Sequence, residues 1–180
     1  MADHFKSSMV KSYHILLVPT IATEQYPKGF GATVPELEIS KFNITPHSKT
    51  CFTMMIPEVL KQINEGKTKS VILCGIETQA CITATTLGEY KLWNYPGAIQ
   101  LSKQYLDLLE QGIDVHLPVD CISSRSNFDR KIAFERLKQS GAFLTSCEAI
   151  ILAMAPDAKH PNFKGIQKLV MEPSLDTGLM

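Results

Sequence analysis

The chain has 180 residues, enough for one domain with its own core and too few for two. Lys plus Arg and Asp plus Glu number 18 each, so the formal net charge is zero, and neither a nucleic acid nor an anionic membrane is indicated as a partner. The longest apolar runs, SYHILLVPTIAT and EAIILAMAP, fall short of the ~20 residues of a membrane span, and five irregularly spaced cysteines without a C-x-x-C pair give neither a disulfide framework nor a zinc site.

The start, MADHFKSSMVKSYHILL, carries Asp3 and no small-residue cleavage site, so no signal peptide is read. Free thiols then imply a reducing, cytoplasmic setting. LLVPTIAT (16–23) is a continuous apolar run expected to be a buried parallel strand. TEQYPKGFGATVPE (23–36) is a loop rich in Gly and Pro at that strand's carboxyl end, and it offers Glu24, Gln25 and Tyr26 as pocket residues, with Lys28 nearby. Next come a helical pattern at IPEVLKQINEG (56–66), a strand at SVILCGI (70–76) and a helix at TQACITATTL (78–87). Residues 88–105 carry the single Trp and a breaking Pro96-Gly97 pair, followed by a helical pattern at 99–112. IDVHLPV (113–119) is a third strand, delivering Asp120, Cys121, Ser123 and Ser124 at its end. A helix at FDRKIAFERLKQSG (128–141), a fourth strand at GAFLTS (141–146), an apolar helix after Cys147, and a last helix in HPNFKGIQKLV before a polar tail (172–180) complete the plan. Several helical patterns end in Gly, a C-cap signature. Alternating strands and helices predict a single α/β domain over 1–180 with a mostly parallel sheet, its chemistry beyond the strands' carboxyl ends.

Cys81 lies in the first turn of the 78–87 helix. There the helix's positive pole and unpaired amides favour thiolate. Position alone leaves that reading level with the one of a small core residue. Cys74 inside a strand, Cys147 before an apolar helix and Cys51 beside apolar residues read as structural, while Cys121 stays undecided. Lys49 is the nearest cation candidate. His47, His116 and His160 show no spacing that supports a Cys-His pair. No cofactor is expected, because GFGATV follows a loop containing Pro27 and does not open a helix as a dinucleotide fingerprint must.

SVILCGIETQACITATTL resembles the cysteine motif of the isochorismatase-like cysteine hydrolases. TEQYPKGFGATVPEL, KTCFTM, CGIETQACI, DCISSRS, RLKQSGAFLTSCEAIIL and HPNFKGIQKLV together resemble the isochorismatase domain-containing proteins of eukaryotes. The resemblance implies a three-layer, Rossmann-like sheet and an Asp, Lys, Cys triad acting on a small carbonyl substrate. Cys81 matches the nucleophile, and Lys49 the lysine that holds carboxylate and thiolate together. The backbone amides of Glu77 and Cys81 match the oxyanion hole, and Ile76-Glu77 the family's non-proline cis peptide. Zinc in some relatives is held by an Asp and two His, a pattern that TEQYPKG lacks, so no metal is expected. An open sheet edge and the family habit imply a homo-oligomer.

The family's aspartate closes a first central strand in a pattern like CDMQ. Here the first 14 residues read as the second half of the helix after it, and Asp3 is the only acid ahead of Glu24. The expectation is therefore a chain truncated at its N-terminus, with that strand missing and hydrolysis weak or absent. Residues 88–105 are expected to be an insertion. A binding or oligomer-forming member without catalysis is the alternative, and redox sensing through Cys81 a third.

Overall fold

Every strand of the computed structural model, which describes residues 10–88 and 108–171, is short and parallel to its neighbours. The expected insertion at 88–105 beyond Gly88, most of the helical pattern at 99–112, the first nine residues and the tail lie outside the described residues. Strand β1 (Thr23–Gln25) pairs with β2 (His47–Lys49). A separate three-stranded sheet runs β3 (Ser70–Ile72), β5 (Asp114–Pro118), β7 (Phe143–Thr145), and β4 (Gly75–Ile76) pairs with β6 (Ile122–Ser123). Among the described residues no ladder joins the β1–β2 pair to the rest.

Alternation along 71–74 sorts the core into two faces, as side chains of a strand must. Val71 and Leu73 belong to one apolar cluster, whereas Ile72 and Cys74 pack on the other. On the first face lie α3 (Pro57–Glu65) through Val59 and Ile63, α4 (Thr83–Leu87) through Leu87, and α5 (Asn127–Gln139) through Phe134 and Leu137. The second face is covered by Tyr13 of α1 (10–15), by Ile150 and Ile151 of α6 (Cys147–Met154), and by Ile166 of α7 (Phe163–Val170). A short α2 spans Pro27–Phe30. Helices on both faces of a parallel sheet make the expected three-layer α/β architecture. Among the described residues no helix is long and apolar enough to cross a membrane.

Two strand expectations are corrected by backbone hydrogen bonding. The run 16–23 is not a strand until Thr23: the amides of Leu16 and Val18 close the end of α1 on the carbonyls of Ser12 and Tyr13, both at 2.9 Å, and Pro19 has no N–H to offer. The run 70–76 is broken where Gly75 takes φ +130°. Up to Leu73, whose N–H donates to the His116 carbonyl at 3.0 Å, the chain follows β5. Beyond the kink it follows β6, and the partner chain makes a matching step through a 3-10 turn at Val119–Cys121. β2, with the polar sequence HSK, lay outside any apolar pattern.

Helix ends are fixed by side chains and glycine. Ser126 Oγ accepts from the Asp129 amide at 3.2 Å and Ser146 Oγ from the Ala149 amide at 3.2 Å, each closing an N-terminus. The Cys147 amide donates to both carboxylate oxygens of Asp120, at 2.8 and 3.1 Å. After α5, Gly141 adopts φ +101° with open space where a Cβ would stand. The strain of a side chain in that backbone region is then the only cost of Gly141→Ala, expected at about 1–2 kcal/mol by urea denaturation.

Candidate functional site

Cys81 sits where β4 gives way to a helix. The Ile76-Glu77 peptide is cis, and Thr78–Ile82 form one π-helical turn that continues into α4. Three of the next four residues, TATT, are β-branched threonines that crowd an ordinary helix. Their hydroxyls instead fold back on the preceding turn: Thr83 Oγ1 donates to the Thr78 carbonyl at 2.5 Å, Thr85 Oγ1 to the Cys81 carbonyl at 2.6 Å and Thr86 Oγ1 to the Ile82 carbonyl at 2.8 Å. Thr85 Oγ1 also accepts from the Met54 amide at 2.9 Å, tying the cysteine's own carbonyl to the loop after β2.

A second network fixes the turn from the other side. Glu77 Oε2 accepts from the Arg125 amide and from Gln79 Nε2, both at 3.0 Å. Ser124 Oγ donates to Gln79 Oε1 at 2.7 Å and accepts from the Thr78 amide at 3.2 Å, while Thr78 Oγ1 donates to the Ser123 carbonyl at 3.1 Å. Glu77 thus uses its carboxylate to bind the loop after β6. Ser123 and Ser124, delivered by the third predicted strand, serve as the clamp. Gln79 and Thr85 were not singled out by sequence, since a Gln or a Thr in a helix start carries no distinguishing pattern.

Lys49 ends β2 and is buried, with 6% of its surface exposed. Its Nζ donates to Gln25 Oε1 at 2.5 Å, to the Phe52 carbonyl at 2.9 Å, to the Cys51 carbonyl at 3.1 Å and to Cys81 Sγ at 3.5 Å. Among the described residues it meets no carboxylate. Cys81 is half-buried, neither sealed in the core nor fully open.

Of the three expected pocket residues, only Tyr26 lines the open cavity of about 450 Å³ beside Lys49, together with Pro27, Cys51, Ile56 and Pro57. Tyr26 holds left-handed backbone angles, φ 39° and ψ 65°, and its amide donates to the Lys49 carbonyl at 2.7 Å. Glu24 turns away, its Oε1 accepting from the Thr33 amide at 2.7 Å, which holds its carboxyl below the usual range and pins the loop after β1. Gln25 turns to Lys49.

The remaining cysteines and histidines stand elsewhere. Cys121 and Cys147 are buried in the second cluster, where the neighbouring Cys147 thiol and burial push the Cys121 thiol up. Cys74 and Cys51 are half-buried beside apolar residues. The His116 ring stacks on Phe143 at 5.1 Å, and His47 Nε2 lies 3.3 Å from Gln62 Nε2. Among the described residues no group of three or more His, Cys, Asp or Glu could hold a metal ion.

A parallel sheet covered on both faces, with a cysteine in the turn after a cis peptide and a buried lysine beside it, is the isochorismatase-like class of α/β protein. No family model matches the sequence. The isochorismatase domain-containing protein 2 of Bos taurus is 47% identical over 173 residues, covering 96% of this chain and 74% of that protein. The Danio rerio protein of the same name is 46% identical, with 96% and 77% covered. The chain belongs to the isochorismatase domain-containing protein 2 family. Among solved structures, the MAR1 ribonuclease from Caenorhabditis elegans superposes with a TM-score of 0.80 at 38% identity, covering 99% of this chain and 83% of that one.

Proposed function

We propose that the chain is an isochorismatase-like hydrolase of a small carbonyl compound, with Cys81 as nucleophile and Lys49 as its cationic partner. One observation carries the reading: the Lys49 ammonium lies 3.5 Å from Cys81 Sγ at the carboxyl ends of the strands. An ammonium at that distance stabilises negative charge on sulfur. Attack by Sγ on a carbonyl carbon forms a C–S bond while the π pair moves to oxygen, and the backbone amides of Glu77 and Cys81 are assigned to receive that oxyanion. Tyr26 is assigned to substrate binding because it lines the cavity that Lys49 also lines; Cys81 is not among the residues lining that cavity and reaches it through Lys49 Nζ. The thiol proton passes to water, and collapse of the oxyanion breaks the bond from the carbonyl carbon to the leaving group. That group takes its proton from water, since no positioned acid or base beside Lys49 is found among the described residues. Among the described residues the Lys49 partners are a thiol, an amide oxygen and two carbonyls, and no carboxylate. A positioned acid–base group is worth about 100- to 10,000-fold, so turnover by this arrangement is slow and acylation of Cys81 is the step that shows it.

The lack of a carboxylate beside Lys49 among the described residues favours a second reading, a family member that binds or self-associates without catalysis. Sheet edges left unpaired among the described strands support self-association, and five free thiols fit a reducing compartment such as the cytoplasm. The Caenorhabditis elegans relative is named a ribonuclease. A net charge of zero supplies no basic excess for a phosphate backbone, so RNA ranks behind a carbonyl substrate.

The deciding experiment incubates the protein and Cys81→Ala with small esters and amides and, separately, with single-stranded RNA. Intact-protein mass spectrometry follows the acyl adduct. An adduct on Cys81 with slow product release, absent from Cys81→Ala, supports the hydrolase. Equal background rates and no adduct leave the non-catalytic reading. RNA cleavage that disappears in Cys81→Ala moves the substrate to a phosphodiester.

A further inference from the structure

We infer that Gln25 is the positioning residue of the Lys49–Cys81 pair, an inference that rests on the role given to that pair above. In the parallel β1–β2 ladder Gln25 stands opposite Lys49, so the two side chains leave the same face. The Gln25 amide uses both of its ends. Oε1 accepts from Lys49 Nζ at 2.5 Å, and Nε2 donates to the carbonyl of Thr50 at 2.7 Å. Turning the amide over would bring its N–H groups against the ammonium and lose both bonds, so the Thr50 carbonyl fixes which end the lysine sees.

The ammonium has three protons and a flexible four-carbon stem. The Cys51 and Phe52 carbonyls hold it from the loop side, Gln25 from the strand side, and Cys81 Sγ completes four acceptors around three donors. Sulfur is the most distant of the four and the weakest acceptor, so the ammonium stays beside it only while the oxygens fix its place. A glutamine suits this task better than a glutamate. Its oxygen orients the ammonium without neutralising it, and the positive charge remains available to the sulfur.

The test is the pH dependence of Cys81 alkylation by iodoacetamide, read by peptide mass spectrometry in the wild type, Gln25→Met, Lys49→Met and the double variant. Methionine keeps the bulk of glutamine and removes both hydrogen bonds. Gln25→Met is expected to slow Cys81 at neutral pH about tenfold, at the low end of what an opposite charge at this range supplies. It should also move the profile to higher pH, while half-buried Cys74 in the same molecules keeps its rate. With Lys49 already replaced, Gln25→Met should add nothing. A Gln25→Met profile superimposed on the wild type, with Lys49→Met shifted, overturns the positioning role and leaves the pair standing. Equal slowing by Gln25→Met with and without Lys49 overturns it too, since the effect then bypasses the ammonium. A Lys49→Met profile superimposed on the wild type overturns the pair itself.

Discussion

Replacing Lys49 by methionine is expected to slow alkylation of Cys81 at neutral pH by about 10- to 30-fold, the upper figure being set by the few per cent of thiolate that an unassisted thiol already holds at that pH. The sulfur lies 3.5 Å from Nζ, and no second cation among the described residues hydrogen-bonds to it. The helix end remains in the variant, so its share of the effect survives and the slowing measures the ammonium alone. Stability falls as well. Removing Nζ takes its donor from Gln25 Oε1 beside a lysine that is itself 6% exposed. A buried acceptor left without its donor costs about 1–3 kcal/mol. Lys49 and Cys51 line the open cavity, where water can replace the lost donor, so a total near the lower end is expected in urea denaturation. Arginine keeps the charge but not the geometry, because a planar fork cannot meet four acceptors arranged around one nitrogen. Lys49→Arg should therefore label at a rate between wild type and Lys49→Met. Rapid labelling of Lys49→Met would sink the proposed role of this lysine.

The sequence carried the position of Cys81 and the strand-to-helix turn around it because GIETQAC packs an apolar strand end, a glycine and a helix start into seven residues. Lys49 was legible as a cation candidate, and its pairing with Cys81 only through KTCF, a motif whose meaning comes from resemblance. Local chemistry could not place Gln25. Its partner is decided by the β1–β2 register, a pairing between segments 24 residues apart in sequence, and β2 itself is three polar residues with no apolar alternation. The run at 16–23 misled for the opposite reason. It is apolar and β-rich, yet the amides of Leu16 and Val18 are consumed by the end of α1, a competition that hydrophobicity does not register. Glu24, expected in the pocket, also fastens its loop through the Thr33 amide nine residues on, a contact that the sequence did not announce. Local patterns thus gave elements and faces, while the assignments that needed register or loop closure had to come from three dimensions.

Leu117→Ala is the substitution expected to cost most in stability, about 2–5 kcal/mol. Leu117 is fully buried in β5, the central strand of the three-stranded sheet, opposite Leu144 of β7 and in the cluster shared with Phe134 and Leu137 of α5. Its neighbours on the same face, Val115 and Ile122, are also without exposed surface, so the walls of the cavity cannot collapse without moving the backbone of paired strands. Against a total of about 5–15 kcal/mol for a domain, the loss is a large fraction, and at 150–250 residues each kcal/mol lowers Tm by about 2–4 °C. A contrast sharpens the test. Phe128 on α5 is 73% exposed, and Phe128→Ala removes a larger side chain at an expected cost within about 0.5 kcal/mol. Calorimetry of the pair should show a Tm drop of about 5–15 °C for the leucine and little for the phenylalanine. The kink between β5 and β6 gives this result a functional reading. The strand that carries Leu117 leads through Val119–Cys121 to Ser123 and Ser124, which clamp the turn holding Cys81. A cavity at Leu117 should therefore raise the alkylation rate of the buried Cys121 and Cys147 through local opening before it alters Cys81, whose neighbours are polar bonds and not packing. If Cys81 changed first, the core of the sheet and the clamp would have to be one cooperative unit.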